Sequence, residues 1–129
     1  MAEQPPLILV VEDEYALQAV VEEALIEGGF ATDILSSAEE ALTLFKSGVK
    51  AYRALVADVN LMGSLSGWDL ARRIREGEPT FPVIYMTGAA SDEWASQGVP
   101  NSILLQKPFA PAQLVTAVSQ LLNQNSAAS

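Results

Sequence analysis

The stretch Ala54-Leu55-Val56-Ala57-Asp58-Val59-Asn60-Leu61 decides the fold of this chain. Its continuous apolar run reads as a strand buried on both faces, the pattern of a parallel sheet covered by helices. The run ends in a carboxylate. An earlier run, Leu7-Ile8-Leu9-Val10-Val11, ends in Glu12-Asp13-Glu14. A later one, Pro82-Val83-Ile84-Tyr85-Met86, ends in Thr87-Gly88, and Ile103-Leu104-Leu105 ends in Gln106-Lys107-Pro108. Four strand candidates thus deliver acid, acid, hydroxyl and ammonium at their C-terminal ends, the edge where parallel α/β sheets bind ligands.

Between these runs the apolar spacing turns helical. Leu17, Val20, Val21, Ala24 and Leu25 predict a helix over 15–28, stopped by Gly28-Gly29. Residues 30–35, with Thr32 and Asp33 among them, predict an edge strand. Ser36 or Ser37 can cap a helix over 38–47, with Glu39 and Glu40 in capping-box register. Gly63-Ser64-Leu65-Ser66-Gly67 is a loop by composition. A helix over 67–76 then buries Leu70, Ala71 and Ile74, and its Arg72, Arg73 and Arg75 read as a solvated basic face. Residues 92–97 suggest a short helix with Ser91 as its cap. The last helix starts after Pro111, a favoured first-turn residue, and buries Leu114, Val115, Val118, Leu121 and Leu122. Parallel strands joined through helices cross over right-handedly. The expected fold is therefore α/β, a doubly wound five-stranded parallel sheet with five helices. One domain is expected over 7–122, between a disordered leader, 1–6, and a disordered tail, 123–129.

Composition narrows the chemistry. The chain has 129 residues, no cysteine and no histidine. Disulfides, thiolate metal sites and a Ser-His-Asp triad are excluded, and zinc loses its commonest ligands. Seven Lys and Arg stand against sixteen Asp and Glu, for a net charge of −9. That balance argues against direct nucleic-acid binding, which calls for a basic face. No apolar run approaches the ~18 residues of a membrane span. The N-terminal Met1-Ala2-Glu3-Gln4-Pro5-Pro6 lacks the basic residues of a signal peptide. A cytoplasmic protein without membrane contact is the expectation.

Glu12, Asp13 and Asp58 should meet at the edge of neighbouring strands. Two carboxylates about 4 Å apart repel by roughly 4 kcal/mol at an effective dielectric near 20. Three in one pocket call for a cation or a raised pKa. Oxygen ligands alone favour Mg²⁺, with Mn²⁺ as the substitute. A metal beside an aspartate suits phosphoryl transfer to that aspartate, with Lys107 and Thr87 stabilising the phosphoryl oxygens. Taken singly, each residue has a plainer reading: Asp58 as a turn residue, Glu12-Asp13 as helix dressing, Thr87-Gly88 as a turn, Lys107 as a surface lysine. Their conjunction in this order carries the assignment.

Over about 7–122 the chain resembles the receiver domain of two-component response regulators. The resemblance rests on the acidic pair Glu12-Asp13, Asp58, Thr87 and Lys107-Pro108, each after its strand. It implies a flavodoxin/CheY-like sheet in the order 2-1-3-4-5. It also implies phosphorylation of Asp58 by a histidine kinase or histidine phosphotransfer protein with Mg²⁺. Asp13 would then be a direct metal ligand, Glu12 would act largely through metal-bound water, and the Asn60 carbonyl would complete the protein ligands. Thr87 and Lys107 would bind the phosphoryl oxygens, and the Lys107-Pro108 bond would be cis.

Four positions depart from the family pattern. Glu12 stands where Asp is usual. The loop Leu61-Met62-Gly63 lacks the usual proline and runs one residue longer to Gly67. Leu104 replaces the switch aromatic. No output domain follows Leu122, so a stand-alone receiver is expected, monomeric or weakly dimeric, signalling to an unknown downstream protein. Trp94 is a candidate contact for that partner. The competing reading is a receiver-like binding module that is not phosphorylated. A phosphatase of the haloacid-dehalogenase type is disfavoured, because Asn60 stands where that family carries its acid.

Overall fold

The computed structural model describes residues 4–128, with side chains through 124. The strands are β1 (Leu7–Val11), β2 (Ala31–Leu35), β3 (Tyr52–Asp58), β4 (Val83–Thr87) and β5 (Ile103–Gln106). The helices are α1 (Tyr15–Glu27), α2 (Ala38–Ser47), α3 (Gly67–Gly77), α4 (Trp94–Gln97) and α5 (Pro111–Ala128). All pairings are parallel, in the order β2-β1-β3-β4-β5. This is the doubly wound α/β sheet that the sequence predicts.

Strand periodicity divides the core in two. Leu9, Val11, Leu55, Ala57, Val83 and Tyr85 face α2 and α3, where they meet Ala41, Leu42, Leu70 and Ile74. The alternate residues Ile8, Val10, Ala54, Val56, Ile84 and Met86 face α1 and α5, against Val21, Leu25, Leu114 and Val118. Every side chain of β4 is buried, so its apolar run needs no alternation. The edge strand β2 is only half-buried throughout. Its Asp33 is held by Lys50 Nζ at 2.8 Å and by the Tyr52 hydroxyl at 2.6 Å. That places a charge on the exposed edge, a device against edge-to-edge pairing.

Local chemistry sets the helix ends. Ser37, not Ser36, caps α2 by accepting from the Glu40 amide. Ser66 and Asp69 form a reciprocal capping box at α3. Ser91 does not cap a helix. It begins a 3-10 turn, Ser91–Glu93, that leads into the four-residue α4.

Arg72 and Arg73 are exposed, as a solvated face requires, and Arg75 is half-buried, but Arg72 and Arg75 are also tied down. Arg72 donates to the carbonyl and side-chain oxygens of Gln97, and Arg75 to the carbonyls of Phe81 and Pro100. The short α4 segment is thus strapped to α3.

The ends also depart from expectation. Of the leader, 1–3 lie outside the described residues, but the Pro6 carbonyl accepts from the Ala31 amide. The backbone of α5 continues through 123–128, where a disordered tail was expected. Ser129 lies outside the described residues.

Of the glycines, Gly67 lies closest to its surroundings. A Cβ there would sit 2.2 Å from the Asp58 carbonyl oxygen and 3.0 Å from Val59 Cα. Gly67→Ala is expected to cost about 2 kcal/mol or more through overpacking against backbone. Gly77→Ala meets nothing within 4 Å and is expected to be neutral or to stabilise by up to ~1 kcal/mol. Urea unfolding of both variants measures the contrast.

Candidate functional site

The order β2-β1-β3 makes the C-terminal ends of β1 and β3 the point where successive connections leave in opposite directions, and a crevice opens there. Glu12 and Asp13 follow β1, and Asp58 ends β3. Register pairs Val11 with Ala57, so the acids arrive at one level. Each of the three offers an oxygen within 4.8 Å of the others. Lys107 follows β5 and crosses to them, its Nζ lying 2.8 Å from Asp58 Oδ2 and 3.2 Å from Glu12 Oε1. Parity explains the meeting. Positions 12, 58 and 107 continue the alternation of Ile8-Val10, Ala54-Val56 and Leu105, so all three lean toward the α1 and α5 side.

The pocket is short of positive charge. Glu12 is fully buried and Asp58 nearly so. Burial, with the Asp58 charge beside it, pushes the Glu12 carboxyl up to about 7. Its bonds to the Glu14 amide and to Lys107 act the other way. Burial works against the Lys107 ammonium, but the Asp58 and Glu12 carboxylates outweigh it and hold its pKa above the ordinary lysine value. Three carboxylates against one ammonium, with an all-oxygen donor set, fit a hard divalent cation.

Backbone amides position each acid. Glu14 N–H donates to Glu12 Oε2 at 3.0 Å, Asn60 N–H to Asp58 Oδ1 at 3.0 Å, and Met62 N–H to Asp13 Oδ2 at 3.2 Å. The Gln18 side chain holds the Glu12 carbonyl from α1. Thr87 is fully buried and lies one residue past Met86, the strand partner of Asp58. Its Oγ1 accepts from the amides of Ala90 at 2.8 Å and Ala89 at 3.3 Å. The Lys107 amide donates to the Thr87 carbonyl at 2.7 Å, and the Lys107-Pro108 bond is cis.

The structure therefore gathers Glu12, Asp13, Asp58 and Lys107 around one pocket, with Thr87 on the adjacent strand end and Asn60 tied to Asp58. Sequence reasoning overlooked Gln18 and gave Glu39 a different role. Gln18 lies six residues after Glu12, in the first turn of α1, and reaches back to the end of β1. Glu39 reads as a cap but holds the loop after β3 instead.

Comparison with known proteins agrees with this geometry. The family model "Response regulator receiver domain" matches residues 8–119. The transcriptional regulatory protein CusR of Escherichia coli K12 is 28% identical over 93% of this chain and 52% of its own length. The probable transcriptional regulatory protein SilR of Salmonella typhimurium is 30% identical over 91% and 51%. The chain thus spans about half the length of the curated relatives it matches. The crystal structure of a response regulator receiver protein from Sinorhizobium medicae WSM419 superposes with a TM-score of 0.89 at 44% identity, covering 92% of this chain and 95% of that one. A putative response regulator from Chloroflexus aurantiacus superposes at 0.82 with 29% identity, covering 93% and 99%. An acidic crevice at the switch point of this sheet, inside a family match that spans most of the sequence, makes the chain a member of the receiver domains of two-component response regulators.

Proposed function

We propose that the chain accepts a phosphoryl group on Asp58 from a histidine kinase or histidine phosphotransfer protein and signals through protein contacts. The observation that carries this reading is the Lys107 ammonium spanning Asp58 and Glu12 beside Asp13. Glu12, Asp13, Asp58 and the Asn60 carbonyl would hold Mg²⁺, or Mn²⁺ in its place. A bound divalent cation supplies charge neutralisation for the transferring group.

The residues do the rest. A carboxylate oxygen of Asp58 attacks phosphorus as the bond to the donor breaks, and the leaving group departs on the opposite side. Lys107 exchanges part of its carboxylate contact for a phosphoryl oxygen. Thr87 donates its hydroxyl hydrogen to another, since the Ala89 and Ala90 amides already occupy its acceptor side. The product carries about −1.5 to −2 charges by analogy with other phospho-residues. Shifting a two-state balance from 1:99 to 99:1 takes about 5.5 kcal/mol of differential interaction, within reach of a few charge-assisted bonds.

A receiver-like module that binds partners without phosphorylation is the second reading. Leu104 favours it, because a leucine has neither ring nor hydroxyl with which to register a change at Thr87. The relatives' names concern transcription. The charge of −9 supports contacts with proteins over contacts with DNA for any such role. The cytoplasm, where kinases of this class release their phosphoryl groups, is the proposed compartment. Among the described residues no helix is long and apolar enough to cross a membrane.

With acetyl phosphate and Mg²⁺, the wild-type chain is expected to shift on a phosphate-affinity gel and Asp58→Asn to stay unshifted. Equal mobility of the two removes Asp58 as acceptor. A full Mg²⁺ response without phosphoprotein from any donor supports the binding module instead.

Proton competition at Glu12 gives a pH signature. The carboxyl is pushed up to about 7, and a metal needs the carboxylate. Apparent Mg²⁺ affinity should fall as pH drops below 7, by up to about tenfold per unit, and level off above 8. Without metal the sign reverses for stability. The folded state holds the Glu12 proton more tightly than the unfolded chain, so this contribution is present below about 4.5 and lost as pH rises through 7. Calorimetric Mg²⁺ titrations between pH 5.5 and 8.5 check the first slope, and Glu12→Gln should flatten it.

A further inference from the structure

The β3–α3 loop lacks its family proline, yet it delivers an amide to the metal-site acid Asp13. Something else must hold it. Glu39, on the first turn of α2, reaches across to this loop. Its Oε2 accepts from Ser64 N–H at 2.7 Å, Ser64 Oγ at 2.8 Å and Leu65 N–H at 3.3 Å. Gly63 closes over the same carboxylate. A Cβ at residue 63 would lie 2.8 Å from Glu39 Oε2 and 3.0 Å from Oε1, and the backbone there has φ +115°. Only glycine accepts both the conformation and the approach. The next residue back, Met62, donates its amide to Asp13 Oδ2 at 3.2 Å.

Other features of Glu39 argue against a simple helix cap. Ser37 already caps α2, and it pairs with Glu40 rather than Glu39. Glu39 Oε1 is buried, and among the described residues it is the buried side-chain oxygen left without a partner. A carboxylate that sacrifices one oxygen to concentrate three donors on the other is organised around the loop. The donors from Ser64 and Leu65 hold its pKa below the usual glutamate range, the Ser64 hydroxyl foremost. The clamp therefore stays charged throughout the neutral range.

We infer that Glu39 is a positioning residue: by clamping Ser64 and Leu65 it fixes Gly63 and Met62, and so holds the Asp13 carboxylate in place for the divalent cation. This inference rests on the metal reading of the acidic pocket. Glu39 touches neither metal nor phosphoryl group, and it acts through the loop backbone.

The test compares wild type, Glu39→Ala, Glu39→Gln and Ser64→Ala as full chains. Acetyl phosphate phosphorylation is followed against Mg²⁺ concentration, and amide hydrogen exchange is followed without metal. Glu39→Ala should raise the half-saturating Mg²⁺ several-fold, up to about tenfold, as loss of a ligand's supporting contact does elsewhere. The rate at saturating Mg²⁺ should stay within about twofold, since the clamp makes no transition-state contact. Exchange at Met62, Ser64 and Leu65 should accelerate together in the metal-free chain. Glu39→Gln keeps an acceptor oxygen for the three donors and should restore most of both effects. Ser64→Ala, which loses only the hydroxyl bond, should move both readouts less but in the same direction.

An unchanged Mg²⁺ midpoint in Glu39→Ala overturns the inference, as does faster exchange at Ser64 and Leu65 that stops short of Met62. If the alanine variant fails to fold, Ser64→Ala decides by the same two readouts. Should wild type show no Mg²⁺ response at all, the metal reading fails. The exchange at Met62 then judges the clamp by itself, so the two failures are distinguishable.

Discussion

Everything in this pocket answers to one electrostatic constraint: the Lys107 ammonium must serve two buried carboxylates while a third stands beside them. Lys107 lies closer to Asp58 than to Glu12, 2.8 Å against 3.2 Å. The acid it serves less well is the one whose pKa rises to about 7. Removing one partner of such a set leaves a buried charge uncompensated, and that is costly. The sheet supplies the compensation it can through backbone amides, one to each acid. Glu12 carries an extra methylene where the family usually has Asp. The longer arm lets Oε2 reach the Glu14 amide while Oε1 reaches Lys107. The substitution is absorbed by local hydrogen bonding, without exposing the group.

The strand ends were legible because the sheet is parallel and buried. Continuous apolar runs mark such strands, and a charged residue at the end of one has few places to go other than the ligand-binding edge. The strand order followed from the family resemblance, and Asp58, Thr87 and Lys107 fell where those runs stop. Residues 12, 58 and 107 share a parity with the α1-facing half of the core. Runs that are apolar on both faces do not say which helices each parity meets, so that convergence was not legible in the sequence. Thr87 has the opposite parity, with Val83 and Tyr85, which explains why it joins the acids from another side.

What stayed hidden was long-range and made by side chains acting on backbone. Helical periodicity put Arg72 and Arg73 in solvent, where they are, but gave no sign of the bonds that tie Arg72 and Arg75 down. Periodicity cannot register that a four-residue α4 leaves the carbonyls of Gln97 and Pro100 in reach. Glu39 misled for the same reason. Spacing from Ser36 put it in capping register, whereas its donors sit 25 and 26 residues away. The stop at 122 failed differently. Asn123-Gln124-Asn125 reads as a polar end, yet α5 continues through it, and nothing in the polar composition forbids helix once the apolar stripe before it has docked.

The segment after β4 shows how a change at Thr87 could leave the pocket without an aromatic at 104. The Thr87 hydroxyl oxygen binds Ala89 and Ala90, and the Ala90 carbonyl then accepts from Glu93 within the 3-10 turn. Beyond the turn, the Trp94 indole donates to Ser102 Oγ at 2.9 Å, and Tyr85 receives the Val99 amide at 3.0 Å. Tyr85 also packs on Trp68 of α3, ring centroids 4.5 Å apart. The Thr87 hydroxyl, the short helix and the buried tyrosine therefore form one hydrogen-bonded and packed unit. Any movement of the hydroxyl toward a new acceptor in the pocket must be reconciled with two backbone amides at the head of that unit. The Ala90 amide is buried, and such an amide costs about 1–3 kcal/mol when left without an acceptor. That cost is comparable to the strength of one charge-assisted bond, so the hydroxyl hydrogen can turn to a new acceptor only while its oxygen keeps the Ala90 amide.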